Sequence, residues 1–110
     1  MSGFEKNLQA QIMRYCVQRG AVVFNIMGNE QQSGVPDLLV CYMGRFIGLE
    51  VKGADGQLSK LQKVRLTRIQ NAGGIGEEVR SMAKVQEIFN TVAAKQSWIN
   101  GDYTPKGGKA

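Results

Sequence analysis

Hydrophobic and polar positions along the chain follow helical spacing in some stretches and strand spacing in others. Apolar residues three or four apart are typical of amphipathic helices, and short β-branched runs bounded by turn residues are typical of strands. The pattern predicts the order helix, strand, strand, strand, helix, strand, helix. The predicted ranges are 4–19 and 58–72 for two helices, 21–26, 37–43, 46–51 and 75–80 for four strands, and a third helix with Ser81 as its N-cap. This order predicts an α/β fold, with a mixed sheet that carries helices on its faces.

The second and third predicted strands form a hairpin, because only Gly44 and Arg45 separate them. A two-residue turn at this position places Asp37 opposite Lys52, and strand alternation puts Glu50 on the same face. The three charged side chains are therefore expected to converge at the open end of the hairpin.

Two carboxylates and an ammonium at the edge of an apolar sheet have two interpretations. Mg²⁺ takes one or two carboxylates together with water and substrate phosphate, and a nearby lysine stabilises charge that develops on a phosphate. The alternative is an ion pair on a solvent-exposed strand face, which contributes little stability. Glu5, on the first predicted helix, either reaches the same site or complements the helix dipole as a first-turn acid.

Composition narrows the chemistry that such a site can use. The chain has 110 residues, 43% of them apolar and 21% charged, which predicts a single globular domain. It contains no histidine, which excludes Ser–His and Cys–His nucleophile pairs, His-ligated zinc and an imidazole base. Cys16 and Cys41 are predicted to be reduced core thiols, since neither lies in a metal-type spacing. Any chemistry must therefore use carboxylates, lysine, metal and water.

The net charge of +5 is compatible with nucleic-acid binding, and its distribution is uneven. Residues 52–76 contain five cations and a single acid, Asp55, so this segment is either a solvated helix face or a surface for phosphate. No apolar run approaches the roughly 20 residues of a membrane span, and residues 1–6 lack a signal-peptide pattern. No contact with a membrane is expected, and the expected location is the cytoplasm, that of the host if a phage encodes the chain.

One motif resembles a known family. Pro36 and Asp37, followed after twelve residues by Glu50, Val51 and Lys52, resemble the PD-(D/E)xK nuclease signature. The flanks at 33–39 and 58–62 are similar to the VRR-NUC (virus-type replication-repair nuclease) branch, and the likeness covers roughly residues 4–92. The resemblance implies a restriction-endonuclease-like core of order α-β-β-β-α-β plus a C-terminal helix. It also implies a metal-dependent DNA endonuclease.

The resemblance assigns roles to individual residues. Asp37, Glu50 and the backbone carbonyl of Val51 would ligate Mg²⁺ or Mn²⁺, and Glu5 would bind the metal directly or through water. Lys52 would orient the attacking water or stabilise the transition state. Gln62 lies within the apolar stripe of the second predicted helix, where a buried amide needs a polar partner. The resemblance implies that Gln62 is an active-site residue. The alternative is a partly exposed residue at the flank of the stripe. The implied nucleic-acid contacts are Ser33, Lys60, Lys63, Arg65 and Arg68.

The resemblance also bears on organisation and substrate. Stand-alone phage-type members consist of a bare catalytic domain, so we expect a nuclease domain over 1–94 and a basic, glycine-rich tail over 95–110 with Trp98 and Tyr103 as its anchors. A homodimer that cleaves duplex or branched DNA such as four-way junctions is implied. The alternatives are a catalytically inactive DNA-binding module on the same fold, and a structural or protein-interaction domain.

Overall fold

The order of elements predicted from the sequence is confirmed. The computed structural model describes residues 3–26 and 34–102, and the side chains as far as residue 96. The elements are α1 (Gly3–Gln18), β1 (Val22–Asn25), β2 (Leu38–Tyr42), β3 (Arg45–Val51), α2 (Lys60–Asn71), β4 (Ile75–Val79) and α3 (Met82–Asp102). Within these residues no helix is both long enough and apolar enough to cross a membrane.

The four strands form one mixed sheet in the order β1-β2-β3-β4. The pairs β1–β2 and β2–β3 are antiparallel, whereas β3 and β4 are parallel and are connected through α2. A parallel pair requires such a crossover, because its two strands start at the same edge of the sheet. The open end of the β2–β3 hairpin therefore lies where β4 also ends.

Strand alternation gives the sheet two different faces. One face packs against α1 and α3 and forms the main core, and the other carries α2. The core face is apolar along the whole hairpin, through Leu38, Val40, Tyr42, Ile47, Leu49 and Val51. The charged residues at the end of the hairpin point to the opposite face, on the side of α2.

The predicted turn of the hairpin was wrong. Tyr42 pairs with Arg45, so the turn residues are Met43 and Gly44. Both have positive φ, 50° and 81°, which matches the twist that two-residue hairpins favour. The correction moves the register by two residues, so Asp37 extends opposite Glu50 instead of Lys52. Because the side-chain period of a strand is two, every residue keeps its predicted face.

Glycines let α2 lie close to its half of the sheet. A Cβ added at Gly76 would lie 2.5 Å from the backbone oxygen of Leu66, and one added at Gly48 would lie 2.7 Å from Cδ1 of Ile69. The helix covers β3 and β4 and leaves β2 and β1 open on this face. Cys41 is consequently exposed, and its predicted place in the core was wrong, whereas Cys16 is buried; both thiols are free.

Two predicted boundaries also change. The second helix starts at Lys60 instead of residue 58, with Ser59 as its N-cap. The third helix continues to Asp102, so the predicted tail boundary at residue 95 falls inside α3. The division into a domain and a tail stays a prediction. The side chain of Trp98 and all of Tyr103 lie outside the described part of the chain.

Candidate active site

The open end of the hairpin brings Asp37, Glu50 and Lys52 together on the α2 face of the sheet. Asp37 directly precedes β2, and its Oδ2 accepts a hydrogen bond of 2.9 Å from the backbone N–H of Val51. The Nζ atom of Lys52 lies 3.8 Å from Oε2 of Glu50. The convergence predicted from the sequence is therefore present, and Glu50 lies between the other two charged groups.

Glu50 is in an unfavourable position for a lone carboxylate. It is 3% exposed, and no group in the described residues donates a hydrogen bond to its Oε1 atom. Burial, the charge of Asp37 and a hydrogen bond with its carboxyl group raise the pKa of Glu50 to about 8, although the charge of Lys52 and the backbone N–H of Asp37 oppose this shift. Burying a carboxylate without a full set of partners costs stability. A buried carboxylate of this kind is expected where the residue ligates a cation.

Gln62 connects the start of α2 to Glu50. Its Oε1 accepts a hydrogen bond from the backbone N–H of Ser59 at 2.8 Å, and its backbone N–H donates to the Ser59 hydroxyl at 3.1 Å, which completes a capping box. Its Nε2 donates to Oε2 of Glu50 at 3.0 Å. The polar partner that the sequence required for this amide is therefore Glu50.

The loop that follows Lys52 is attached to two other elements. The backbone N–H of Gly53 donates to Oε2 of Glu5 in α1 at 2.9 Å. Arg80, directly after β4, donates to the carbonyl groups of Gly53 and Gly56 and pairs with Glu78. Arg80 was not predicted from the sequence, because only the parallel pairing of β3 with β4 places it beside the loop.

The donor set fits a hard divalent cation. Asp37 and Glu50 provide two carboxylates, and no group in the described ranges donates a hydrogen bond to one oxygen of Glu50. Mg²⁺ commonly takes one or two carboxylates and completes its shell with water and phosphate. In the described ranges, no group of three or more His, Cys, Asp or Glu side chains is arranged to hold a metal. Glu5 accepts the hydrogen bond from the Gly53 backbone N–H, on the loop that follows Lys52.

The residues predicted to bind nucleic acid are not in a single row. Lys60, Lys63, Arg65 and Arg68 are all exposed on α2, but they lie on different sides of the helix. Lys63 lines a polar groove that includes Arg80, whereas Arg65 and Arg68 line a separate groove toward Pro36 and Phe46. Ser33 lies outside the described residues.

Comparison with solved structures finds the same architecture elsewhere. A structure described as a VRR_NUC domain superposes with a TM-score of 0.68 and 24% sequence identity, covering 81% of this chain and 97% of that chain. The chain therefore has the fold of a VRR_NUC domain, as the sequence motif predicted. No family model matches the chain, and no curated protein matches it.

Proposed function

We propose that this protein is a metal-dependent DNA endonuclease that hydrolyses phosphodiester bonds. The observation that carries the proposal is the buried Oε1 of Glu50, to which no described residue donates a hydrogen bond and which lies beside Asp37 and Lys52. Two adjacent carboxylates destabilise each other unless a proton or a cation lies between them. A divalent cation would compensate both charges and would also attract a phosphate.

In the proposed site, Asp37 and Glu50 would hold Mg²⁺ or Mn²⁺, and the backbone carbonyl of Val51 would be a third ligand. When bound, the ion supplies Lewis acidity and lowers the pKa of a water molecule. Gln62 donates to Oε2 of Glu50 and so fixes the direction of the carboxylate. Glu5 holds the Gly53 backbone N–H and would contact the metal through water.

Lys52 has the chemistry to act on the substrate. Its side chain is 16% exposed and its ammonium lies 3.8 Å from Glu50, so it is held beside the carboxylate pair. From this position it would donate a hydrogen bond to the negative charge that develops on the scissile phosphate, or orient the attacking water. Positioned donors of this kind contribute about 10²–10³-fold to rate.

The experiment that tests the proposal compares wild type with Lys52→Ala on single-stranded, duplex, flap, splayed-arm and four-way-junction DNA. Each substrate is incubated with EDTA, Mg²⁺ or Mn²⁺. We expect metal-dependent cleavage that falls at least about 10²-fold in the variant, while Mn²⁺ binding and the circular dichroism spectrum are retained. Lys95→Ala, on the exposed side of α3, is the matched control and should cleave like wild type.

Wild-type cleavage by Lys52→Ala would refute the assigned site. Tight DNA binding without cleavage under any metal condition would favour the alternative, a catalytically inactive DNA-binding module on the same fold. The preferred substrate of the panel would define the structure on which the enzyme acts.

The resemblance to phage-type VRR-NUC proteins further supports a homodimer that acts on branched DNA. A two-fold axis would present two such sites to a four-way junction. Sedimentation of the protein with and without a junction tests this assembly. A single species at monomer mass in both conditions would exclude the dimer while leaving the nuclease proposal intact.

A further inference from the structure

An open groove runs along the hairpin, on the same face of the sheet as Asp37 and Glu50. It lies between α2 and strands β2 and β3 and has a volume of about 500 Å³, within the usual range for ligand sites. Its main lining residues are Pro36, Leu39, Phe46, Ile69, Arg65 and Arg68. Pro36, at one end of the groove, directly precedes Asp37 in the chain and so connects the groove to the candidate active site.

The groove exists because α2 covers only part of its sheet face. Leu39 and Phe46 have the same strand parity as Asp37 and Glu50, so they point to the α2 face. Gly48, between them on the same face, is buried beneath Ile69 and Pro36, since an added Cβ would lie 2.7 Å from Ile69 and 3.1 Å from Pro36. An aromatic ring beside apolar side chains is consequently open on the same face as the catalytic candidates.

The two walls of the groove have different chemistry. Phe46 is 49% exposed on the strand wall. Arg65 and Arg68 are exposed on the helix wall, one turn apart, and in the described part of the chain neither guanidinium pairs with an acid. No acidic residue is among those that line the groove. An aromatic surface beside unpaired cations is the combination that binds single-stranded nucleic acid, through base stacking and phosphate contacts.

Charge argues against a protein occupant. A second copy of this chain in a two-fold contact would bring the same arginines toward their own equivalents. An apolar peptide segment would cover Phe46 but would leave both guanidinium groups without anions. A DNA strand provides a base for the ring and phosphates for the arginines.

We propose that this groove binds an unpaired DNA strand that leads to the Asp37–Glu50 pair. Phe46 stacks against a base, and Arg65 and Arg68 contact the adjacent phosphates. The proposal specifies the substrate class of the nuclease proposed above and rests on that function for its biological role. The binding itself requires neither metal nor cleavage and is tested without them.

The test is fluorescence anisotropy in EDTA with a labelled oligo-dT strand and a blunt duplex of equal length. Phe46→Leu keeps an apolar side chain and removes the aromatic face, so single-strand affinity should fall about ten-fold while duplex affinity stays unchanged. Phe46→Trp keeps a stacking surface and should bind the single strand at least as tightly as wild type. Circular dichroism verifies that both variants are folded.

The arginines are tested by the salt dependence of single-strand binding. Arg65→Gln and Arg68→Gln should each reduce the slope of log K against log salt by about 0.7, the value for one released counterion per phosphate. Arg14→Gln is the control, because it removes the same single positive charge at an exposed position on α1. It should leave the slope unchanged.

Three results would overturn the proposal: no single-strand binding by wild type, wild-type affinity in Phe46→Leu, or an equal loss on duplex and single strand. A change from dimer to monomer in Phe46→Leu, with single-strand affinity retained, would assign the groove to a second copy instead. The nuclease proposal fails separately, when Lys52→Ala cleaves like wild type or wild type does not cleave.

Discussion

Glu50 is the residue at which stability and the proposed chemistry conflict most directly. Its carboxylate is buried, one oxygen accepts no hydrogen bond from the residues that the structure describes, and Asp37 lies close enough to raise its pKa. A side chain selected for packing alone would be apolar at this position, since replacing buried charges by well-packed apolar groups is often neutral or stabilising. The arrangement is understandable if a cation completes the site.

The first prediction concerns the pH dependence of stability in metal-free protein. The folded-state pKa of Glu50 is about 8 against an ordinary value of 4.5, so between these pH values the folded state binds more protons than the unfolded state. The contribution of Glu50 to the free energy of unfolding therefore falls as pH rises from about 4.5 to about 8 and is constant above that range.

Glu50→Gln removes this titration and retains an acceptor for Gln62. In EDTA at pH 8.5 we expect the variant to unfold about 5 °C above wild type, with a smaller difference at pH 5. Thermal melts followed by circular dichroism at both pH values measure it. A difference between the two proteins that does not change with pH would contradict the assigned pKa.

At the scale of elements, the docking of α2 decides the geometry of both proposed sites. The helix presents Gln62 to Glu50 at its N-terminus and Arg65 and Arg68 to the groove along its side. It lies close to the sheet because Gly76 and Gly48 have no side chains at the contact. Glycine within a strand often indicates such a close approach.

The second prediction tests this packing with a single methyl group. Gly76→Ala would place its Cβ 2.5 Å from the backbone oxygen of Leu66, so α2 must shift and the free energy of unfolding should fall by about 1–3 kcal/mol. Urea denaturation measures the change. Gly3→Ala, where no atom lies within 4 Å of the added Cβ, is the control and should be neutral or slightly stabilising. Equal stability of the two variants would show that α2 does not depend on this contact.

At the scale of the whole molecule, the candidate active site is assembled from distant parts of the chain. Asp37 precedes β2, Glu50 lies in β3, Gln62 lies in α2, and the loop after Lys52 is held by Glu5 of α1 and by Arg80. The unfolded chain does not hold the two carboxylates together. A metal that binds them therefore stabilises the entire fold.

The third prediction follows from this linkage. At a free Mn²⁺ concentration of about 100 times its dissociation constant, the fold should gain about 2.7 kcal/mol, a rise in Tm on the order of 10 °C for a domain of this size. EDTA should reverse the gain, and Glu50→Gln should show little of it. Melts with an ionic-strength-matched sodium salt provide the control. The same rise in wild type and Glu50→Gln would place the metal elsewhere.

Local patterns in the sequence determined the order of the elements and the side of the sheet on which each strand residue lies. Helical spacing, β-branched runs and turn residues act over a few positions, so they can be interpreted without knowing the fold. The convergence of Asp37, Glu50 and Lys52 was predicted even though the register was wrong by two residues. The predicted convergence is nevertheless correct, because a shift of two residues leaves every strand side chain on its original face.

Only the tertiary structure decided what depends on contacts between distant segments. Met43 occupies a turn position with positive φ. Methionine is not typical of such positions, so the sequence did not predict it there. The partner of Gln62, the role of Arg80 and the exposure of Cys41 all depend on where α2 and β4 dock. The groove beside Phe46 has the same origin, because it lies between α2 and the part of the sheet face that α2 leaves uncovered. The sequence alone therefore determined the candidate chemistry, and packing between elements determined the surroundings in which that chemistry would act.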